Sequence, residues 1–134
     1  MELIKITPDR ERAQSILKMI SLLEERIQLQ NKERMVPLIL SDYYEIIKEL
    51  LTAILLLDGY KTLSHKDLID YISQNYKEFT NHEISLLHDL RTTRNRIVYE
   101  GLFVDPSYLN RNEHFIKIII RKLKTLVRKK AAQK

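Results

Sequence analysis

Apolar residues recur at helical spacing along most of this chain, and caps and breaks divide them into five stretches. In the first, Thr7 is placed to cap a helix with Pro8 at its first position. Ala13, Ile16, Leu17, Ile20, Leu23 and Ile27 then form one stripe that fades near Asn31. The second stretch begins near Val36-Pro37 and stops at Asp58-Gly59, since glycine accepts the left-handed conformation that ends a helix. From Leu50 to Leu57 it is apolar nearly all round, which predicts a central helix. After a short connection, Tyr60 to Leu63, Ser64 with Asp67 resembles a capping arrangement for a third helix carrying Leu68, Ile69 and Ile72. Thr80-Asn81-His82-Glu83 fits a capping box for a fourth, running to about Glu100 with Gly101 as terminator. Leu102 to Leu109, with Asp105-Pro106, reads as a turn. Asn110 with Glu113 opens a fifth helix, striped by Ile116, Ile119, Ile120, Leu123 and Val127. No strand-like alternation of useful length and no internal repeat interrupts the pattern. The predicted fold is all-α: an antiparallel, up-and-down bundle of about five helices, forming a single domain over residues 1–127.

A chain of 134 residues suffices for one modest core. The absence of cysteine removes disulfides and thiolate metal sites from consideration. No run is apolar enough to span a bilayer, and the first residues lack a secretory pattern, so the expected setting is cytoplasmic and away from membranes. The formal charge is +5, but seven basic residues and no acidic one follow Ile120, leaving the first 120 residues at about −2. Beyond Val127 the apolar stripe ends. Residues 128–134 are therefore expected to form a basic tail dispensable for folding, which either complements a helix dipole or holds nucleic acid.

His65, His82, His88 and His114 show no metal-ligand spacing, and neither a phosphate loop nor a nucleophile motif is present, so no metal or cofactor is expected. The fourth helix carries the candidate chemistry. At about 100° per residue, Arg94 falls among Leu86, Leu87, Leu90, Ile97 and Val98. A buried guanidinium needs a partner, and Asp42, Glu45 and Glu49 of the second helix are the candidates. A polar stripe of His88, Arg91, Asn95 and Tyr99 is expected on the side away from the core, and the helix also carries Arg96. His88, Arg91 and Arg96 supply side chains suited to phosphate or a base edge.

Arg94-Asn95-Arg96-Ile97-Val98-Tyr99-Glu100-Gly101 resembles the signature helix of the HEPN superfamily, in which an arginine and a polar residue precede a histidine. Tyr43 to Leu51 is similar to the family's long second helix, and Asp58 to His65 to the connection in its small prokaryotic, especially archaeal, members. The three segments stand in the family's order and extend the resemblance from about Val36 to Val127. The resemblance implies a helical bundle, a homodimer with the motif helices meeting in a cleft, and RNA or nucleotides as ligand. It also implies a toxin–antitoxin setting, with a minimal nucleotidyltransferase as antitoxin. Active members are metal-independent ribonucleases, so Arg94, Asn95 and Tyr99 are the catalytic candidates. Tyr99, however, occupies the histidine position, and a phenol that keeps its proton at neutral pH is a poor general base. The expectation is therefore RNA or nucleotide binding with weak or absent cleavage. Two alternatives stand beside it: a catalytically silent module with a structural arginine, and a nucleic-acid binder working through the basic tail.

Overall fold

The computed structural model describes residues 1–133 and consists of five helices and one short strand pair. These are β1 (Ile4–Lys5), α1 (Arg10–Gln28), α2 (Val36–Asp58), β2 (Tyr60–Lys61), α3 (His65–Asn75), α4 (Asn81–Glu100) and α5 (Pro106–Ala132). The all-α bundle predicted from the apolar spacing is the observed class. None of the helices is long and apolar enough to cross a membrane. α2 is the axis of the bundle. Its residues from Leu50 to Leu56 are buried apart from half-buried Thr52, and α1, α3, α4 and α5 all pack on it.

Four helix ends form as the sequence predicts. Gly59 caps α2 at φ 89° and Gly101 caps α4 at φ 68°. Thr80 and Glu83 complete a reciprocal capping box, with Thr80 Oγ1 accepting from the Glu83 amide at 3.1 Å and the Glu83 carboxylate accepting from the Thr80 amide at 2.8 Å. Ser64 caps α3 by accepting from the Asp67 amide, but the Asp67 carboxylate accepts from the Glu2 amide and so ties the N-terminus to α3.

Two helix starts and one end differ from the sequence pattern. α1 begins after Asp9, not Thr7, because the preceding residues are held extended. Ile4 and Lys5 pair antiparallel with Lys61 and Tyr60, and the Ile6 and Asp9 amides donate to Gly59 and Leu56 carbonyls. Asp9 then accepts from the Arg12 amide as N-cap. α5 begins at Pro106, not near Asn110. Asp105 caps it by accepting from the Ser107 amide, and Pro106 fills a first-turn position where no amide is needed. Val127 is not a structural boundary, since α5 continues through Ala132 and Ala131 is buried. Lys130 reaches Asp58 Oδ1 at 2.6 Å, while Asp58 Oδ2 accepts from the hydroxyls of Tyr71 and Tyr76 at 2.7 and 2.5 Å. The end of α5 is thereby fastened to the end of α2.

Gly59 and Gly101 separate backbone strain from crowding. A Cβ on Gly59 would lie 3.1 Å from the Ile6 carbonyl oxygen, whereas one on Gly101 would meet nothing within 4 Å. Both substitutions to alanine strain the left-handed cap, at about 1 kcal/mol or more, so Gly59→Ala is expected to cost the more of the two. Urea unfolding of both variants checks the order.

Truncation after Val127 is expected to lower stability by about 1–3 kcal/mol, because it removes the buried Ala131 and leaves Asp58 without its cation. A shift in the thermal midpoint of the shortened chain reads this directly.

Candidate functional site

α4 is anchored only along its first half. Glu83, Leu86, Leu87 and Leu90 are buried, and no residue of the helix after Leu90 is. The face chosen by periodicity does turn to the core, but its fully buried positions end at Leu90, and Ile97 packs against the core only in part. Ile97 is half-buried and Val98 is 51% exposed. Beyond Leu90 the helix flanks a cleft of about 590 Å³ shared with α1 and α2, whose lining includes Met19, Leu23, Arg94 and Val98.

Arg94 is consequently half-buried rather than enclosed, and it forms no ion pair among the described residues. The carboxylates proposed to hold it line the same cleft but are engaged elsewhere. Asp42 accepts from Arg26 at 3.0 and 2.7 Å and from Gln30 at 2.7 Å. Lys48 lies 2.9 Å from Glu45 and 3.3 Å from Glu49. Arg94 instead donates to Asn95 Oδ1 at 3.3 Å and sits with Cζ 5.8 Å from the centre of the Tyr44 ring. A cation over an aromatic face is a modest attraction and leaves most guanidinium donors open.

Arg91 is also short of acceptors, since its Nε is fully buried with no hydrogen-bond partner among the described residues. Leaving a buried donor unmet is costly. Next to these arginines stand two residues that linear spacing does not reveal. The buried ring of Tyr44 lies 5.9 Å from the His65 ring, at the first turn of α3. Burial pushes the Tyr44 phenol up to about 12, although Arg91 and Arg94 oppose the shift. Burial also holds the His65 imidazole below its ordinary value, helped by the charges of Lys48, Arg94 and Arg91. These influences, opposed by the charge of Glu45, favour the neutral form of the imidazole. It reads in the sequence as an ordinary first-turn histidine. Only the packing of α3 against α2 and α4 brings it to the arginines.

The remaining candidates are dispersed. His88 Nε2 stands 3.3 Å from Asp70 Oδ1, an ion pair when the imidazole is protonated. Asp70 also holds Lys66, whose hydrogen bond keeps the carboxyl below its usual range. Arg96 pairs loosely with Glu100 at 3.6 Å. Asn95 adjoins Arg94, and Tyr99 is 77% exposed near the end of the helix. The structure thus joins Arg94, Asn95 and Arg91 to His65 and Tyr44, and leaves Tyr99 in solvent. Among the described residues no group of three or more histidines and carboxylates is positioned to hold a metal. Compared with protein families, with curated proteins and with solved structures, the chain has no significant match.

The lowered His65 value gives a pH dependence with a definite sign. Below about 6.5 the unfolded chain takes up a proton at this residue that the folded chain refuses, so stability falls as pH falls through that value. Histidine resonances followed by NMR should show His65 titrating below 6.5. His65→Asn should remove this part of the pH dependence of unfolding.

Proposed function

We propose that this chain is a HEPN-type component of a toxin–antitoxin-like system that binds RNA or nucleotides through α4, with weak or absent intrinsic cleavage. One observation carries the reading: Arg91 and Arg94, one turn apart on α4, form no ion pair among the described residues, and both charges bear on the His65 imidazole. Two guanidiniums that themselves hold no carboxylate suit a phosphodiester, which offers paired oxygen acceptors. Asn95 adds an amide for a sugar hydroxyl or base edge. The acids of the cleft are taken up by Arg26, Gln30 and Lys48, so the cations left for a phosphate are Arg91 and Arg94. The resemblance of the Arg94 helix to the HEPN signature supplies the choice of RNA and a minimal nucleotidyltransferase as the antitoxin partner.

The weakness of cleavage follows from Tyr99. Its phenol is 77% exposed and is placed to act as a hydrogen-bond donor or stacking surface. Any cleavage would need a base for the ribose 2′-hydroxyl, and the His65 imidazole, packed by Tyr44, is the candidate. Cleavage would then proceed without a metal.

A second copy of the chain is the proposed partner for the open face of α4. Met19 is 54%, Val98 51% and Phe103 77% exposed, and Met19 and Val98 border the cleft. Exposed apolar side chains clustered around a cleft favour burial against another surface. In a symmetric pair each α4 would approach the other and close the site.

Arg94→Ala and Arg91→Ala should each weaken binding of a short single-stranded RNA by about tenfold or more, with the helical signal retained. Arg94→Ala should change stability by only about 1 kcal/mol or less, since it breaks no ion pair. Unchanged RNA affinity in both variants would refute the site. In chelator the parent chain should cleave RNA slowly or not at all, and Tyr99→His should raise cleavage by up to about 10²-fold.

Sedimentation at micromolar concentration should report about twice the 16.0 kDa chain mass, and Val98→Asp should return the protein to monomer. A monomeric parent across that range would remove the dimer from the proposal.

A further inference from the structure

A second groove, where α1, α2 and α5 meet, is separate from the arginine site of α4. It encloses about 290 Å³ above a floor formed by Ile27 and Ile120. Lys117, Arg121, Lys124 and Arg128 line it from α5, at steps of four, three and four that keep them on one face of the helix. Like charges at this spacing disfavour the helix. On other faces of α5, Lys122 and Lys130 hold Glu83 and Asp58. In the groove only Lys124 is neutralised, by Glu24 at 2.5 Å. Glu113, one turn before Lys117, is already engaged by Tyr43 and Lys32. Lys117, Arg121 and Arg128 form no ion pair among the described residues.

We propose that this groove binds a nucleoside polyphosphate, with its phosphates on Arg121, Arg128 and Lys117 and its base against Ile27 and Ile120. The volume is at the lower end of small-molecule sites, so the groove would take the base while the phosphates lie along the open cations. The open cations extend over about 16 Å of helix, which calls for a ligand carrying several charges. Guanidiniums at Arg121 and Arg128 match phosphate oxygens in pairs. The apolar floor calls for a flat or apolar body, and the Gln28 amide at the rim offers both a donor and an acceptor to a base edge. A single-charged amphiphile would leave two cations unmet. A nucleic-acid strand would seek a row of aromatic faces, and Tyr43, its hydroxyl held by Glu113, is the one aromatic among the described residues that line the groove.

Calorimetric titration of the full chain with ATP, adenosine and inorganic tripolyphosphate tests this. ATP is expected to bind saturably with Kd below about 1 mM, and each of the other two at least about tenfold more weakly. Arg121→Ala and Arg128→Ala, both at exposed positions, should each weaken ATP by about tenfold with an unchanged thermal midpoint. Arg94→Ala should leave ATP binding intact, which keeps this groove distinguishable from the α4 site. Absence of saturable ATP binding overturns the proposal. So does equal affinity for tripolyphosphate, or a loss caused by Arg94→Ala and not by Arg121→Ala.

Discussion

The enclosure of α2 is the constraint on which the rest of the molecule depends. A helix that is apolar on nearly every side cannot leave a face in water, so neighbours must surround it. α1 and α5 cover most of its length, and α3 and α4 close the remainder. The strand pair of β1 and β2 and the hydrogen bonds from Ile6 and Asp9 hold the start of the chain against the end of this helix. At the same end, Asp58 gathers Tyr71, Tyr76 and Lys130, so three helices are joined at one carboxylate. Desolvation and the hydrogen bonds to Asp58 push both phenols well above their ordinary range, and so they remain donors at any physiological pH.

Covering α2 leaves α4 only partly attached. Its first half supplies Leu86, Leu87 and Leu90 to the core, and the second half rises beside the cleft with its arginines. The carboxylates that would quench those arginines are held by other cations: Asp42 by Arg26, and Glu45 and Glu49 by Lys48. The distribution of ion pairs, more than the net charge, decides where an anion is welcome. The same reasoning applies to α5, where some cations are locked to carboxylates and a stripe of others faces a groove.

Much of the architecture is legible in the chain because it rests on local rules. Apolar periodicity locates five helices, and the all-round apolar run from Leu50 marks the central one. Gly59, Gly101, Ser64 and the Thr80–Glu83 box set their helix ends through contacts within a few residues, so sequence spacing suffices to find them. The misplaced starts have the opposite origin. Thr7 and Pro8 form a plausible cap, but long-range bonds from Ile6 and Asp9 hold that stretch extended, and Asp9 takes over. Lys130 and Ala131 look like an idle tail until the end of α2 comes alongside.

The site divides in the same way. The sequence alone determines that Arg91, Arg94 and Asn95 share the C-terminal half of one helix, because helical geometry relates them directly. It does not determine how far along that helix the core extends, which is why Arg94 reads as enclosed and is in fact at a rim. It does not place His65 and Tyr44, which lie on two other helices, beside the arginines. Nor does it assign carboxylates to cations, since that pairing depends on which side chains meet across helices. Local spacing specifies what each helix carries. Burial, open donors and the bias of His65 toward its neutral form arise only when four helices are brought around α2.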